Sequence, residues 1–332
     1  MYISCGVRTP FSLHKKEFSL LKGYNLGATA LRALISMLPN QATDNIPSLI
    51  CSDNGENGIV EDIIQRVGLE NVVGQVVNSA ADGLLSAFKG EVNTFLLGVA
   101  SSFRDVGEVI SDGDYCVPVN PFKDSCVKDI SESERAQALL HARKKCAEAA
   151  KDAFLYEIAP IALHVEKKVS HYDLDTLITT PLPSASDQGV PIRYRAPLCD
   201  GAAALCLTTE PLKQTLARIV GGSCSDVVGH EALVVSIEKL LKDHSVALKD
   251  VKIFEIDERV VCAPKWCANK IGIAPEYINR WGGSCALGDA GSAEELRMVL
   301  SAAQGMHALS TPYAVVARGK AALLLERYDD KK

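Results

Sequence analysis

Residues 75–88 have the sequence QVVNSAADGLLSAF, in which an apolar run gives way to small and polar residues and then to a segment with helical spacing. This pattern predicts a buried strand, a tight turn and an amphipathic helix, the repeating unit of an α/β fold. The first amides of such a helix are unpaired and lie at the positive end of its dipole, so a cysteine placed there would be held partly as thiolate. Ala80, Ala81 and Asp82 occupy this turn instead. The stretch therefore has the form of a turn that presents a nucleophile, with alanine where the nucleophile would stand.

The same alternation of strands and helices occurs twice along the chain, which predicts an α/β fold with strands buried between helices. The predicted strands are residues 49–52, 72–78, 94–99, 202–208, 217–220 and 252–256. The predicted helices are residues 26–37, 60–67, 83–89, 232–241 and 292–303. The chain closes on a predicted hairpin, 313–317 with 321–327, turned at residues 318–320. The similar halves indicate an internal duplication.

A segment of different composition separates the halves. It includes a polar helix at residues 131–151, opened by a capping box between Ser131 and Glu134. We therefore divide the chain into a first half at residues 1–103, an inserted segment at 104–196 and a second half at 197–332. A basic cluster on the polar helix is interpreted as a solvated face rather than an anion site; it consists of His141, Arg143, Lys144 and Lys145.

The composition is that of a globular protein with a large apolar core. The chain has 332 residues, 47% of them hydrophobic, and a net charge of −6 with acidic and basic residues interspersed. No basic patch indicates contact with nucleic acid or a membrane surface, and no run of about 18 apolar residues predicts a membrane span. The 11 cysteines are scattered singly through apolar stretches. They are interpreted as buried thiols in a reducing compartment, not as a disulfide framework or zinc site.

Several segments, in order along the chain, resemble the thiolase superfamily. They are VRTPF at residues 7–11, FLLGVASSF around Gly98, the helix end with FLYEIAP at residues 154–160, DGAAA at residues 200–204, FEIDE at residues 254–258 and WGGSCALGD at residues 281–289. Their order and spacing cover nearly the whole chain. The resemblance implies a duplicated five-layered α/β/α/β/α fold with a loop domain inserted in the first half, shortened here between residues 103 and 130.

The resemblance also implies where the chemistry of the family would lie. In the family one cysteine takes the acyl group from an acyl-CoA, a histidine activates it, a second cysteine shuttles a proton, and oxyanion holes stabilise the developing charge. On this sequence the nucleophilic cysteine falls at Ala81, the histidine at Asp289, the oxyanion-hole asparagine at Asp257 and the second cysteine at Ala314. All four positions have changed.

The replacements oppose the family reaction, and the ligand loop has changed as well. A carboxylate at residue 289 would raise the pKa of a nearby thiol, and the loss of one oxyanion donor costs about 3 kcal/mol of transition-state stabilisation. The family's pantetheine loop corresponds to residues 194–198, which carry no serine, while Arg193 and Arg195 are the candidates for contacting a cofactor. CoA or acyl-CoA is therefore implied by resemblance alone, and no resident cofactor is expected.

Two alternatives would restore chemistry at other residues. Cys285 is the best candidate for a relocated nucleophile, although a cysteine in an apolar segment usually packs as a small hydrophobe, as we also expect for Cys262 and Cys267. A second alternative is that carboxylates around the former site act as an acid/base pair or bind a hard cation. These carboxylates are Asp82, Asp257, Glu258 and Asp289. The preferred interpretation is that they cap helices and satisfy backbone donors, and no metal site is expected.

The sequence thus favours a catalytically inactive thiolase-like protein, a structural or regulatory subunit that associates with itself, with an active thiolase or with a larger assembly. The alternatives are a divergent acetyl-CoA C-acyltransferase of lipid metabolism and a non-catalytic acyl-CoA sensor. The start of the chain is too short and polar for a secretory signal, and the end carries no SKL-type peroxisomal address. An intracellular, reducing compartment is expected, the mitochondrion ahead of the cytosol and peroxisome by analogy with family metabolism.

Overall fold

The computed structural model describes residues 1–39, 42–52, 55–119, 125–153, 157–165, 168–187 and 190–329. The strands are β1 (Tyr2–Arg8), β2 (Ser12–Leu13), β3 (Ser48–Ser52), β4 (Val73–Val77), β5 (Thr94–Ala100), β6 (Val109–Asp112), β7 (Tyr115–Pro118), β8 (Ile161–Val165), β9 (Lys168–Tyr172), β10 (Ser186–Asp187), β11 (Val190–Pro191), β12 (Cys199–Thr208), β13 (Ala217–Cys224), β14 (Val251–Ile256), β15 (Tyr313–Arg318) and β16 (Ala321–Arg327). The helices are α1 (Gly23–Ser36), α2 (Ile59–Val67), α3 (Ala80–Gly90), α4 (Ser125–Asp129), α5 (Glu132–Ala149), α6 (Glu231–Asp243), α7 (Ala263–Ile271), α8 (Ser284–Leu287) and α9 (Ser292–Ala308).

The two halves of the main sheet have the same strand order, which confirms the predicted duplication. In the first half β1 pairs antiparallel with β12, β12 antiparallel with β5, and β5 parallel with β3. In the second half β13 pairs antiparallel with β16, β16 antiparallel with β15, and β15 parallel with β14. The half-sheets join where the start of β1 pairs with the start of β13, and β4 forms the outer edge of the first half.

Three layers of helices enclose the two half-sheets. The helices α3 and α9 lie between the half-sheets, where Leu96 of β5 and Val316 of β15 share one apolar cluster with Leu300 of α9. The outer face of the first half is covered by α1 and α2, and that of the second half by α6 and α7. This is the five-layered α/β/α/β/α arrangement expected from the sequence.

The sequence-based elements are present, but one boundary between the halves lies elsewhere. All the predicted strands and helices occur, with ends that differ by a few residues, and the capping box of α5 is formed by Ser131 and Glu134. The strand β12, which the sequence analysis placed in a second half beginning at residue 197, pairs with β1 and β5 and so completes the first half. The second half begins with β13. This boundary depends on pairing between strands that are far apart in sequence, so it cannot be predicted from the amino-acid composition of the segments.

Arg8 anchors the inserted segment to β1. Its Nε donates to Glu157 Oε1 (2.6 Å), and its Nη1 and Nη2 donate to the two carboxylate oxygens of Asp175 (2.6 and 2.8 Å). All three residues are buried. The planar guanidinium suits this double carboxylate geometry, so the arginine of the VRTPF motif has a structural role.

The central helix α9 makes its closest approach to the first half-sheet at Gly98 of β5. A Cβ atom at this position would lie 2.3 Å from the carbonyl oxygen of Ser292 and 2.7 Å from the nitrogen of Ala293. Because glycine has no Cβ, the first turn of α9 can lie directly on the strand.

Within the described ranges, no helix combines the length and the apolar composition that crossing a bilayer requires.

We predict that Gly98→Ala lowers the free energy of unfolding by at least about 2 kcal/mol, because the added methyl group collides with the backbone of α9. The matched control is Gly90→Ala at the end of α3, where an added Cβ would meet nothing closer than Val92 at 3.9 Å. This control should stay within about 1 kcal/mol of the parent, since alanine favours the helix. Urea denaturation of the three proteins gives the comparison. Equal stability of Gly98→Ala and the parent would contradict the close approach.

Candidate functional site

The turn before α3 is closed by its own cap and by a carboxylate from α9. Ser79 Oγ accepts a hydrogen bond from the Asp82 amide (3.1 Å) and donates to Asp82 Oδ2 (2.9 Å), as expected of an N-terminal cap. The amide of Ala81, at the position of the family nucleophile, donates to Glu295 Oε2 (3.2 Å). The helix end that would stabilise a thiolate therefore already holds an anion.

Asp289, at the position of the family histidine, faces an arginine. Its Oδ1 accepts from Arg318 Nη2 (2.8 Å) and from the Gly291 amide (2.9 Å) just before α9. The Nε of Arg318 also lies 3.7 Å from Glu295 Oε1, which links this carboxylate to the turn of α3. Asp289 is thus held by an ion pair and by the amide that precedes α9, whereas the side-chain cap expected at the start of this helix is not formed.

Asp257, at the position of the oxyanion-hole asparagine, is bound in a second ion pair. Both of its carboxylate oxygens accept from the Arg259 side chain, and Oδ2 also accepts from the Gly319 amide (3.1 Å). Although burial opposes its charge, the guanidiniums of Arg259 and Arg318 hold the pKa of Asp257 below its usual range. The pKa of Asp289 is likewise lowered against burial, chiefly by Arg318.

These side chains form one charge cluster, which we call the cleft cluster and define as Asp257, Asp289, Glu295, Arg259 and Arg318. In the described structure its ion-pair partners all come from within the cluster. A cavity of about 240 Å³ lies beside it, with Arg104, Leu198 and Ser292 among its walls, and its described lining contains no cysteine or histidine. Two arginines thus offset most of the charge of three carboxylates, and the described cavity lining offers neither a thiol nor an imidazole.

Ala314 is the one replaced position that the structure does not bring to the cleft cluster. It is the second residue of β15 and is buried in the core between the half-sheets. The same strand ends at Arg318, roughly 13 Å further along and on the same face, since strand residues alternate and advance about 3.3 Å each. The end of β15 therefore presents Arg318 to the cleft.

Cys285 lies in the interior, near the cleft cluster but without an exposed thiol. It is fully buried, and its Sγ donates to the backbone oxygen of Glu258 (3.0 Å). Burial, with a further contribution from Glu258, raises the pKa of this thiol well above its usual value. Cys262 and Cys267 are also buried. A buried, protonated sulfur is a poor nucleophile, so the geometry favours packing roles.

Behind the cleft lies a second group of buried charges with an excess of acid. Arg297 pairs with Glu294 (2.8 Å) and Glu255 (3.3 Å), while Lys145 donates to the carbonyl oxygens of residues 278 and 279. Burial raises the pKa of Glu258 to about 8, against the opposing effect of Lys145, and that of Glu255 to about 7, against Arg297. At neutral pH Glu258 therefore stays mostly protonated and Glu255 about half protonated, whereas an unfolded chain would release both protons.

The two arginine candidates for cofactor contact are engaged within the protein. Arg195 pairs with Asp187 (3.0 Å), and Arg193 lies 3.6 Å from Glu132. Tyr194, the first residue of the segment that corresponds to the pantetheine loop, is buried and donates its hydroxyl to Glu132. The loop presents no serine hydroxyl and its side chains pack inward, so the residues present do not fit a pantetheine arm.

The remaining candidates also have structural partners. Arg143 donates to three backbone carbonyl oxygens of residues 177–180, and Lys144 is exposed beside Glu148. His14, which follows the VRTPF segment in sequence, contacts Asp200 (3.2 Å). Among the residues that the structure describes, no three histidine, cysteine, aspartate or glutamate side chains are arranged to hold a metal ion.

Three members of the cleft cluster were not predicted from the sequence as site residues: Glu295, Arg259 and Arg318. Arg259 follows Asp257 by two residues, and this spacing allows the two side chains to pair. The pairing could therefore have been predicted from the sequence. Glu295 and Arg318 come from different elements and meet only in the folded chain. No feature of the local sequence indicated that these two side chains belong to the site.

We predict that stability falls as pH rises from about 5 to about 9. Carboxyl groups whose pKa is higher in the folded state stabilise it below their unfolded pKa and lose that effect as pH rises through the folded value. For Glu255 and Glu258 this window spans roughly pH 4.5 to 8. The two cleft aspartates have lowered pKa values, so their contribution is lost only in acid.

The test is urea denaturation at several pH values with Glu258→Gln beside the parent. The parent should lose on the order of 3 kcal/mol between pH 5 and 9, and the variant should lose less, because one titrating group has gone. The exposed Glu276→Gln change is the control and should leave the slope unaltered. Parallel curves for the parent and Glu258→Gln would contradict a proton held at residue 258.

Comparison with known proteins gives the same family in sequence and in structure. Residues 212–322 match the family model described as the thiolase C-terminal domain. The peroxisomal 3-ketoacyl-CoA thiolase of Encephalitozoon cuniculi is 28% identical over 184 residues, which are 51% of this chain and 47% of that protein. The cytosolic acetyl-CoA acetyltransferase of Gibberella zeae is 28% identical over 185 residues, 49% of this chain and 46% of that protein. The matches thus span about half the length of these relatives.

The fold similarity extends over the whole molecule. The crystal structure of human mitochondrial 3-ketoacyl-CoA thiolase superposes with a TM-score of 0.79 over 98% of both chains, at 18% sequence identity. At that identity the superposition establishes the fold. Together with the domain match and the related sequences, it shows that the chain belongs to the thiolase superfamily.

Proposed function

We propose that this protein is a catalytically inactive member of its family that acts as a structural or regulatory subunit. The observation that carries the proposal is the cleft cluster, in which Asp257 and Asp289 stand at two of the four reacting positions and each is paired with an arginine. A thiolase reaction needs a thiolate, a base to form it and uncommitted donors for the oxyanion. Ala81 supplies no sulfur, and the imidazole position holds Asp289, whose charge is already paired.

The committed hydrogen bonds strengthen this proposal. The Ala81 amide is bound to Glu295, and the Gly319 amide is bound to Asp257. A substrate carbonyl would have to displace a carboxylate from each donor, and its oxygen would then face three negative side chains. An oxyanion forming there is destabilised by like charge, so the site opposes acyl transfer in addition to lacking the nucleophile.

The relocated-nucleophile alternative depends on Cys285, whose thiol is buried and has a raised pKa. The acyl-CoA sensor alternative depends on the former pantetheine loop, which is closed by Tyr194. Both observations favour the inactive subunit over these two functions.

Self-association is the second part of the proposal, and its support is the outer edge of the first half-sheet. In the described structure β4 pairs only with β3, and its residues are exposed on both faces. We call this surface the β4 edge and define it by its exposed apolar side chains, Val73, Val76, Leu85, Phe88 and Val92. Open apolar edge strands are unfavourable in water, and pairing with a second copy about a twofold axis covers them. The strand β4 carries no charge, so no like charges would meet.

For the compartment we propose the mitochondrion. Support comes from the mitochondrial thiolase that shares the fold. The peroxisomal and cytosolic relatives make those compartments the alternatives, and microscopy of a tagged chain distinguishes them.

We predict no thiolysis of acetoacetyl-CoA by free CoA, with turnover at least about 10³-fold below that of an active thiolase assayed in parallel. Calorimetric titration of the same mixture separates the functions. No heat and no product agree with the proposal, and saturable heat without product would indicate a sensor. Turnover that disappears on Cys285→Ala would replace the proposal with the relocated nucleophile.

We also predict that the double change Ala81→Cys with Asp289→His restores no measurable turnover. The new histidine would face Arg318, which would have lost its ion pair with Asp289. Asp257 would still occupy the oxyanion position. Circular dichroism checks that the variant is folded. Robust activity in this variant would show that the cleft cluster is not a barrier to catalysis.

For self-association we predict that the protein is a dimer at micromolar concentration. The change Val76→Lys should weaken the Kd of the dimer at least about 100-fold and so give a monomer, because two lysines would meet at the twofold axis. Val228→Lys is the matched control, since Val228 is 57% exposed and Val76 49% exposed, but it lies away from the β4 edge. Analytical ultracentrifugation measures both. A monomeric parent, or a control that dissociates equally, would contradict this interface.

A further inference from the structure

Cys126 and Cys262 place two thiols in contact inside the protein. Their Sγ atoms are 3.3 Å apart, and both residues are fully buried. Cys126 lies on α4 in the inserted segment, and Cys262 immediately precedes α7 in the second half. The residues are 136 positions apart in the sequence, so the contact joins separate parts of the chain.

We propose that this pair is a redox latch: Cys126 and Cys262 form a reversible disulfide under oxidising conditions and so bond the inserted segment covalently to the second half. The inference goes beyond the proposed function, because it requires no chemistry in the cleft. In a reducing compartment the latch is open as two thiols, and a peroxide closes it.

The reaction balances with hydrogen peroxide as the oxidant. The thiolate of one cysteine attacks a peroxide oxygen, the O–O bond breaks, and the sulfur becomes a sulfenic acid as the released hydroxide takes up a proton to form water. The second sulfur then attacks the sulfenic sulfur and displaces its hydroxyl group, which leaves as a second water with the remaining thiol proton. Two thiols and one peroxide give one disulfide and two waters.

The setting of Cys126 gives the oxidant a path to the sulfur. The helix α4 has five residues, and its Lys128 and Asp129 are exposed. Cys126 and Ile130 pack in the apolar cluster that also contains residues of α7. The helix is further held by hydrogen bonds from Trp266 Nε1 to Asp129 Oδ2 (2.8 Å) and from Arg135 Nη1 to the Val127 carbonyl oxygen (2.9 Å). A single helical turn held by a few side chains opens at low cost compared with global unfolding, so Cys126 is reached while the sheet stays intact.

A second pair of neighbouring thiols provides the matched control. Cys5 and Cys206 are partners across β1 and β12 in the centre of the sheet, and both are buried. The hydrogen bond with Cys206, together with burial, raises the pKa of Cys5 far above its usual range. Opening this pair requires breaking the central sheet, so it should stay reduced in the folded protein. Cys224 is exposed and reports that the oxidant is active.

The experiment treats the full chain with hydrogen peroxide under native conditions, quenches thiols with N-ethylmaleimide and maps peptides by mass spectrometry without reduction. The expected result is a peptide pair linked through Cys126 and Cys262, lost again on treatment with dithiothreitol and absent in Cys126→Ser and Cys262→Ser. The bridged protein should melt at a Tm higher by at least about 3 °C, since a long closed loop restricts the unfolded chain.

Two outcomes would overturn the latch. One is recovery of both cysteines as alkylated thiols under conditions that oxidise Cys224 completely. The other is a bridge between Cys5 and Cys206 that forms at the same rate, because oxidation would then occur in unfolded chains. If either serine variant is unstable, the parent protein still decides the question, since the linkage and its rate are measured on the unaltered chain.

Discussion

The position of α9 against β5 is the constraint on which the site depends. The helix packs on the strand at Gly98, where a methyl group would meet the backbone of Ser292 and Ala293. This contact fixes the first turn of α9, and with it Asp289 before the helix and Glu295 within it. From there both carboxylates reach Arg318 at the end of β15. Glu295 also accepts a hydrogen bond from the Ala81 amide in the first turn of α3. The central layer thus brings both halves of the duplicated fold to one point.

At that point three carboxylates share two arginines. Transferring a charge to a buried site is costly unless partners compensate, and a carboxylate held by an arginine loses most of its ability to accept a proton or bind a ligand. Asp257 and Asp289 are held in this way. Such a cluster resists rearrangement, because moving one member leaves its partner uncompensated. These ion pairs support the proposal of an inactive cleft, because they engage the side chains that would otherwise face a substrate.

In the rest of the molecule, packing contacts that do not involve the cleft hold the layers together. The half-sheets, the glycine contact and the buried Arg8 anchor meet the packing demands of the fold whatever the cleft does. The protons retained on Glu255 and Glu258 show that the interior also accepts an imbalance of acid over base, which it accommodates by neutralising carboxyl groups. Fold and chemistry are separable here because the residues that pack the layers are different residues from those that line the cleft.

The sequence by itself determined the local elements and the absence of the family's reactive groups. Apolar periodicity predicted most strands and helices of both halves, although not β1 or α7, and the motif around residues 281–289 located Asp289, because these signals lie within short stretches. Pairing between distant segments was not available to such reasoning. It placed β12 in the first half, left Ala314 in the interior of β15 and brought Glu295 to Arg318. Only the tertiary structure decided these, since contacts between residues far apart in sequence form when the layers pack and carry no local pattern.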